Sequence, residues 1–198
     1  MTQRPDSTPV FYSADRRGFY TTGSLALSAK DPRSGAQPFL NSGDGWFTAD
    51  DIATHVAAQF MDGLSLHGWE WMTWRSQTAS GSDGQMYTHH ERAIELLFEY
   101  VRRSAFPNCP SRLQSFFAFD NIEDARAFAD GKPIYKLTAD RFFKADQQWL
   151  KLSEQNGIAS FYAHKYWEGT ASPTPRWEYL LVPPISTEHV ENAVQHDA

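Results

Sequence analysis

A single α+β domain is the fold class this sequence predicts, and three observations predict it. The 198 residues, 41% hydrophobic and 15% aromatic, can bury one sizeable core but hardly two. Strand-like and helix-like segments are mixed, without the repeating strand–helix–strand interval of a parallel sheet. No internal repeat, low-complexity tract or convincing linker divides the chain. The domain is expected over residues 10–185, between a flexible tail at 1–9 and a C-terminal tail at 186–198.

Each element has its own signal. Val10, Phe11 and Tyr12 open a β-favouring run that breaks into a basic turn at Asp15, Arg16, Arg17 and Gly18. Residues 28–44 are crowded with Gly, Pro, Ser and Asp and read as a surface loop long enough to be functional. Thr48 and Asp51 have capping-box spacing, and Ile52, Val56 and Phe60 follow at four-residue intervals before Gly63, which predicts a short amphipathic helix. Trp69, Trp71 and Trp74 predict a buried or ligand-facing strand, followed by a mobile polar loop that includes Gly81 to Gln85 and lies close to a ligand cleft. Thr88 and Glu91 form a second capping box, and Ile94, Leu97, Phe98 and Val101 line one side of a helix that Pro107 stops. Arg102 and Arg103 suit the negative end of that helix.

In the second half, "RLQSFFAF" predicts a strand, and Asp120 or Asn121 caps a helix ending near Gly131. "PIYKLTA" is a further strand, "DQQWLKLSEQNG" a helix with Gly157 past its end, and "ASFYAHKYWEG" another short element. "WEYLLVPP" is a final strand closed by its two prolines.

Composition limits the function classes. With 24 acidic against 18 basic residues and a net charge of −6, a broad electrostatic grip on nucleic acid is disfavoured, although a local basic groove stays open. The start lacks the pattern of a signal peptide, and no run approaches the ~18 apolar residues of a membrane span, so a soluble protein is expected. Cys109, the single cysteine, cannot form an internal disulfide and has no local histidine motif beside it. The cytosol, or delivery into a target-cell cytosol, fits best. His89, His90 and Glu91 look like metal ligands, but neighbouring helical histidines point about 100° apart and HExxH spacing is absent, so no metal is expected. No Walker loop or GxGxxG is present.

Three separated clusters remain. Arg16 and Arg17 follow an early strand; Ser111, Arg112 and Ser115 surround a middle one; Glu178 begins a late one. Each alone is commonly a solvated turn residue, an ordinary hydroxyl or a strand-end charge. In order, through "FYSADRRG", "PSRLQSFFAFDNIEDARAFA", "YWEG" and "RWEYLLVPP", the chain resembles the ADP-ribosyltransferase superfamily over roughly residues 10 to 185, most closely bacterial members of the arginine, serine, glutamate class.

That resemblance implies a split, strongly curved β core with flanking helices and a loop-rich insertion, gripping NAD in an extended cleft. It implies an arginine contact to an NAD phosphate, by Arg16 or Arg17, with Arg17 preferred because it precedes Gly18. Ser115, with Ser111 as the alternative, would order the cleft, and Glu178 would be catalytic. Arg112 and Phe117 complete the candidate NAD contacts; Phe116 and Trp167 are further rings that could stack on a base. The chemistry suits these residue types. A carboxylate stabilises an oxocarbenium-like centre, a guanidinium fork binds phosphate oxygens, and a hydroxyl bonds both carboxylate and ribose. The implied activity is transfer of ADP-ribose from NAD to a macromolecule by a toxin, effector or defence factor, with an antitoxin or immunity protein as a possible partner. An NAD glycohydrolase and a catalytically inactive protein-binding module of the same fold are the alternatives. Many arginine-modifying members carry a glutamate two residues before the catalytic one. Here that position is Arg176, a cation that would repel a guanidinium acceptor and attract an acidic side chain or a nucleic-acid phosphate.

Overall fold

Two long antiparallel strands form the spine of the molecule. In the computed structural model, which describes residues 8–30, 32, 46–73, 78–80, 86–88 and 91–192, β6 (Pro133–Asp146) and β7 (Trp177–Asn192) pair along nearly their whole length, with Ala145 opposite Glu178. The other edge of β7 is shared. β5 (Phe116–Ala118) pairs with Tyr179 to Leu181, and β2 (Gly23–Leu25) pairs with Ile185 to Thr187. β1 (Val10–Ala14) lies on the far edge of β6, and backbone bonds of 2.8 Å in both directions join its Tyr12 to Phe119, just beyond β5. The path β1–β6–β7–β5 thus curls back on itself. Among the described residues this is one five-stranded antiparallel sheet, with five α-helices and a small β3–β4 hairpin (Thr78–Ser80 and Met86–Thr88).

Helices cover the sheet where their apolar stripes permit. α3 (Glu91–Ala105) and α5 (Asn156–Trp167) enclose a cluster of Phe98, Ala163, Tyr166 and Trp167 against Ala145 and Leu180. α4 (Ile122–Ala129) packs Ala125 and Ala129 on Ala14, Phe119 and Ile134. α1 (Ala49–Gln59) and α2 (Leu66–Thr73) build a separate cluster from Val56, Phe60, Leu64, Trp69 and Leu113. Inside the curl lie Phe11, Phe116, Leu137, Leu181 and Ile185. Alternation along β7 decides the faces: Tyr179 and Leu181 enter the curl, while Glu178 and Leu180 turn to the α3 and α5 side.

Several sequence expectations hold. Thr48 and Asp51 form the expected capping box of α1, Asn121 caps α4, and Gly131 follows a left-handed Asp130 past the end of that helix. Others are corrected. The tryptophan-rich segment is a helix, not a strand: the Ser65 hydroxyl accepts from the Gly68 amide at 3.1 Å, an N-terminal cap that starts α2 and buries Trp69. The strand expected over "RLQSFFAF" begins only at Phe116, because Arg112–Gln114 form a 3₁₀ turn capped by Ser111. No long helix follows Asp146. Its fully buried carboxylate accepts from the amides of Gln148, Ser172 and Arg176, which ties the chain to the entry of β7 and leaves one 3₁₀ turn, Gln147–Trp149. α5 starts later and contains Gly157.

Pro183 and Pro184 do not close β7. They fall between the segments paired to β5 and to β2, opposite a register shift in β6 between Ala139 and Arg141, where no amide donor is needed. Residues 186–192, expected as tail, are therefore strand. Trp74, the 81–85 loop, His89, His90 and most of the 28–44 loop lie outside the described residues, as do the side chains of the Thr88 and Glu91 capping pair.

Gly68 marks the tightest approach between α2 and the turn before β5, since a β-carbon there would sit 2.0 Å from the Leu113 carbonyl oxygen. Gly68→Ala should destabilise the protein by about 2 kcal/mol or more and lower Tm by about 4–8 °C. Thermal unfolding checks this, and a Tm within a degree of wild type would contradict the packing described.

Candidate functional site

A buried guanidinium organises the site. Arg112, 5% exposed, leaves the capped turn ahead of β5 and meets three elements. Its Nε and Nη2 donate to Glu95 of α3 at 2.9 to 3.1 Å. Its Nη1 donates to Oε1 of Glu178 on β7 and to the Tyr166 hydroxyl of α5. Tyr166 in turn donates to the same Glu178 oxygen at 2.5 Å, and Gln147 Nε2 donates to the other at 3.0 Å. The guanidinium also lies over the rings of Phe117, at 4.6 Å, and Tyr166, at 5.2 Å. A second acid on α3, Glu99, anchors the same turn by accepting from Arg102, Arg103 and the Ser111 hydroxyl.

Charge states follow from these contacts. Burial alone would raise the Glu95 carboxyl, but Arg112 and then His67 outweigh it and hold it far below its ordinary 4.5. Burial works against the charge on Arg112, yet Glu178 and Glu95 more than offset it, so the guanidinium is locked in its charged form. Burial raises the Tyr166 phenol, with Glu178 adding to this against the opposing charge of Arg112, so it stays a donor. His67 is pushed below its usual 6.5 by burial first, against the pull of Glu95, and is neutral near pH 7. Its Nε2 lies 3.3 Å from Glu95 Oε1, a contact that becomes an ion pair only when the ring is protonated and that is out of line for a hydrogen bond.

Beside this network opens a cavity of about 220 Å³. Arg16, Arg17, Arg112, Ser115, Phe116, Phe117 and Glu178 all line it, so the structure brings together residues from three distant stretches of the sequence. Arg16 and Arg17 stand on the turn after β1. The Asp15 carboxylate holds that turn by accepting from the amides of Phe19 and Tyr20, and Gly18 takes the left-handed conformation the turn requires, φ 73°. Their side chains are roughly half exposed. Arg16 lies over Phe128 and 3.9 Å from Asp130, while Arg17 pairs with Glu70 of α2.

Other placements differ from the sequence expectation. Ser115 lines the cavity, but its hydroxyl donates to the Ser111 carbonyl at 2.7 Å. Ser111 serves Glu99 and the cap of its own turn, away from the cavity lining. The Arg112 fork, expected as an NAD contact, is committed to Glu95 and Glu178. Trp167 is fully buried among α3 and α5 and donates to the Phe98 carbonyl. Glu178, expected at a partly exposed strand end, is 3% exposed. Its replacement by Gln should cost about 1–3 kcal/mol, not the small change of a surface site.

Sequence reasoning missed Glu95, His67, Tyr166 and Gln147. Glu95 and Glu99 carried a signal, being acids four residues apart on the side of α3 that also bears Ile94, Phe98 and Val101. His67 and Trp71, both on the cavity wall, are spaced i, i+4, a helical relation invisible once the segment is read as a strand. Tyr166 and Gln147 carried no local signal.

The network makes two testable statements. Arg112→Leu strands two buried carboxylates, and should cost about 3–5 kcal/mol and lower Tm by about 6–20 °C; a shift of only a degree or two in calorimetry would contradict the network. Both His67 and Glu95 bind protons more readily in the unfolded chain than in the folded one. Stability should therefore fall as pH drops below 6.5 through His67 and again below 4.5 through Glu95. His67→Gln should remove the upper part of this loss in Tm–pH profiles and reduce but not abolish the lower part, which Arg112 sustains.

A family model described as protein of unknown function (DUF2441) matches residues 41–192. The match spans Arg112, Ser115 and Glu178 and begins after Arg16 and Arg17. No curated protein matches the chain.

Proposed function

The chain belongs to that family, and from its own cavity we propose that it binds NAD and transfers ADP-ribose to a macromolecular acceptor, protein or nucleic acid. One observation carries the reading. A single cavity collects a pair of half-exposed arginines, a serine, two phenylalanines and a buried, ionically held glutamate from the start, middle and end of the chain. An arginine, a serine and a glutamate in this chain order are what the likeness to ADP-ribosyltransferases implies.

The dimensions fit one part of the ligand at a time. At about 220 Å³ the cavity is smaller than a pocket for a drug-sized ligand, and suits a ring and its sugar. The arginines of the β1 turn supply cations for the diphosphate, through planar forks that bind phosphate oxygens in pairs. Phe116 and Phe117 on the cavity wall supply apolar surface for an aromatic group.

In the reaction the bond between ribose and nicotinamide breaks, its electron pair leaves with nicotinamide, and positive charge develops on the sugar. Glu178 opposes that charge. Arg112, Tyr166 and Gln147 fix its orientation beforehand, so little reorganisation is left for the moment of reaction. The acceptor's oxygen or nitrogen then bonds to the sugar carbon and gives up its proton to solvent. Arg176, at the entry of β7, favours an acceptor that brings negative charge.

One observation favours a second reading, that of a module that binds NAD without cleaving it. Both oxygens of Glu178 already accept hydrogen bonds from protein side chains, as in a carboxylate that shapes a cavity without reacting in it. Incubation with labelled NAD and cell lysate, followed by separation of protein and nucleic-acid fractions, decides between them. Label in either fraction supports transfer; nicotinamide release without labelled acceptor indicates hydrolysis; intact NAD indicates the binding module.

Two substitutions refine the test. Arg17→Ala should weaken NAD binding about tenfold or more in calorimetric titration, and unchanged affinity would remove Arg17 from the site. Glu178→Gln should leave NAD affinity nearly unchanged and lower transfer by roughly 10² or more per folded molecule. Full activity in that variant would remove Glu178 from the chemistry.

A further inference from the structure

The pairing of Arg17 with Glu70 has a consequence for ligand affinity. Glu70 stands on α2, one turn after His67 and directly before Trp71, both of which line the cavity. Its Oε2 faces the Nε–Nη2 edge of Arg17 and is 2.5 Å from both nitrogens. That side-on edge is the one a guanidinium presents for bidentate binding of an oxyanion. Arg17 is thus on the cavity wall and already holds a carboxylate where a phosphate would sit. The pair is partly exposed, with the Arg17 side chain 43% and the Glu70 side chain 31% accessible, so it can open without unfolding its surroundings.

We propose that Glu70 sets the affinity and anion selectivity of the site by competing, as a tethered anion, with the ligand's diphosphate for Arg17. This rests on the reading of the cavity as an NAD site and adds to it a residue that the transferase likeness does not supply. Two effects act in the same direction. An incoming phosphate must displace Glu70 from the Arg17 edge, and the displaced carboxylate then stays nearby and repels it. A ligand with one weak negative charge gains little from the exchange, whereas a diphosphate with two strongly accepting groups displaces Glu70. The site therefore discriminates against singly charged anions. In the ligand-free protein the same contact ties the β1 turn to α2, and so fixes the distance between the arginine-bearing and aromatic walls.

The test is a binding cycle on the full chain with inorganic diphosphate and NAD as probes, measured by calorimetry in wild type, Glu70→Gln, Arg17→Ala and the double variant. Exposed ion pairs of this kind are worth up to about fivefold in affinity. Glu70→Gln should therefore tighten diphosphate binding up to about fivefold, and the gain should vanish in the Arg17→Ala background. Unchanged or weaker binding in Glu70→Gln would overturn the inference and make Glu70 a residue that merely orients Arg17. A gain that persists without Arg17 would overturn it too. NAD cleavage assayed in parallel separates this inference from the proposed function. Tighter diphosphate binding without any cleavage upholds the role of Glu70 and removes the transferase reading. Cleavage by wild type without tighter binding in Glu70→Gln does the reverse.

Discussion

The fold around the site depends on one buried cation. Arg112 joins α3, α5 and β7 through Glu95, Tyr166 and Glu178, and its own position is fixed by a turn that Ser111 and Glu99 pin to α3. A guanidinium so deeply buried is tolerable only because its donors are matched by carboxylates that are themselves otherwise satisfied. Removing any one member leaves a charge or a polar atom without compensation in a low-dielectric interior. The network is therefore a weak source of net stability but a strong constraint on which arrangement of helices and sheet can form.

That constraint explains why a carboxylate sits at the mouth of the apolar run "YLLV". Strand alternation sends Tyr179 and Leu181 into the curl of the sheet and Glu178 and Leu180 toward the helices. On the helix side a charge would be excluded were Arg112 not already there. Ala145, the residue opposite Glu178 on β6, is small, which leaves room for the network beside it. The carboxylate is thereby oriented by Arg112, Tyr166 and Gln147 and lies on the wall of a cavity, a fixed geometry that a solvated surface glutamate does not have.

Much of the fold was legible where the signal is local. The capping pair Thr48 and Asp51, the cap at Asn121, the apolar stripe of α3 and the break after β1 at Asp15 to Gly18 each depend on a few neighbouring residues. What failed depended on distant ones. The tryptophans of α2 read as strand because aromatic density outweighed the cap at Ser65. The prolines of β7 read as a stop because their position between two partner strands, opposite a bulge, exists only in the assembled sheet. The helix expected after Asp146 lost to tertiary hydrogen bonds from Ser172 and Arg176. Of the site residues singled out from the sequence, Arg16, Arg17, Arg112, Ser115, Phe117 and Glu178 line the cavity and Ser111 does not. The supporting shell of Glu95, His67, Tyr166 and Gln147 was not legible, since each is drawn in by packing of its own helix or turn.

The central claim is that NAD enters this cavity and meets both its arginine and its glutamate walls. Titration of isotope-labelled protein with NAD, followed by amide chemical shifts, tests it most directly. The account predicts saturable shifts at Arg17, Ser115, Phe117 and Glu178, with Glu70 moving as its partner is taken. Absence of shifts at saturating NAD, or shifts confined to residues that do not line the cavity, would contradict it.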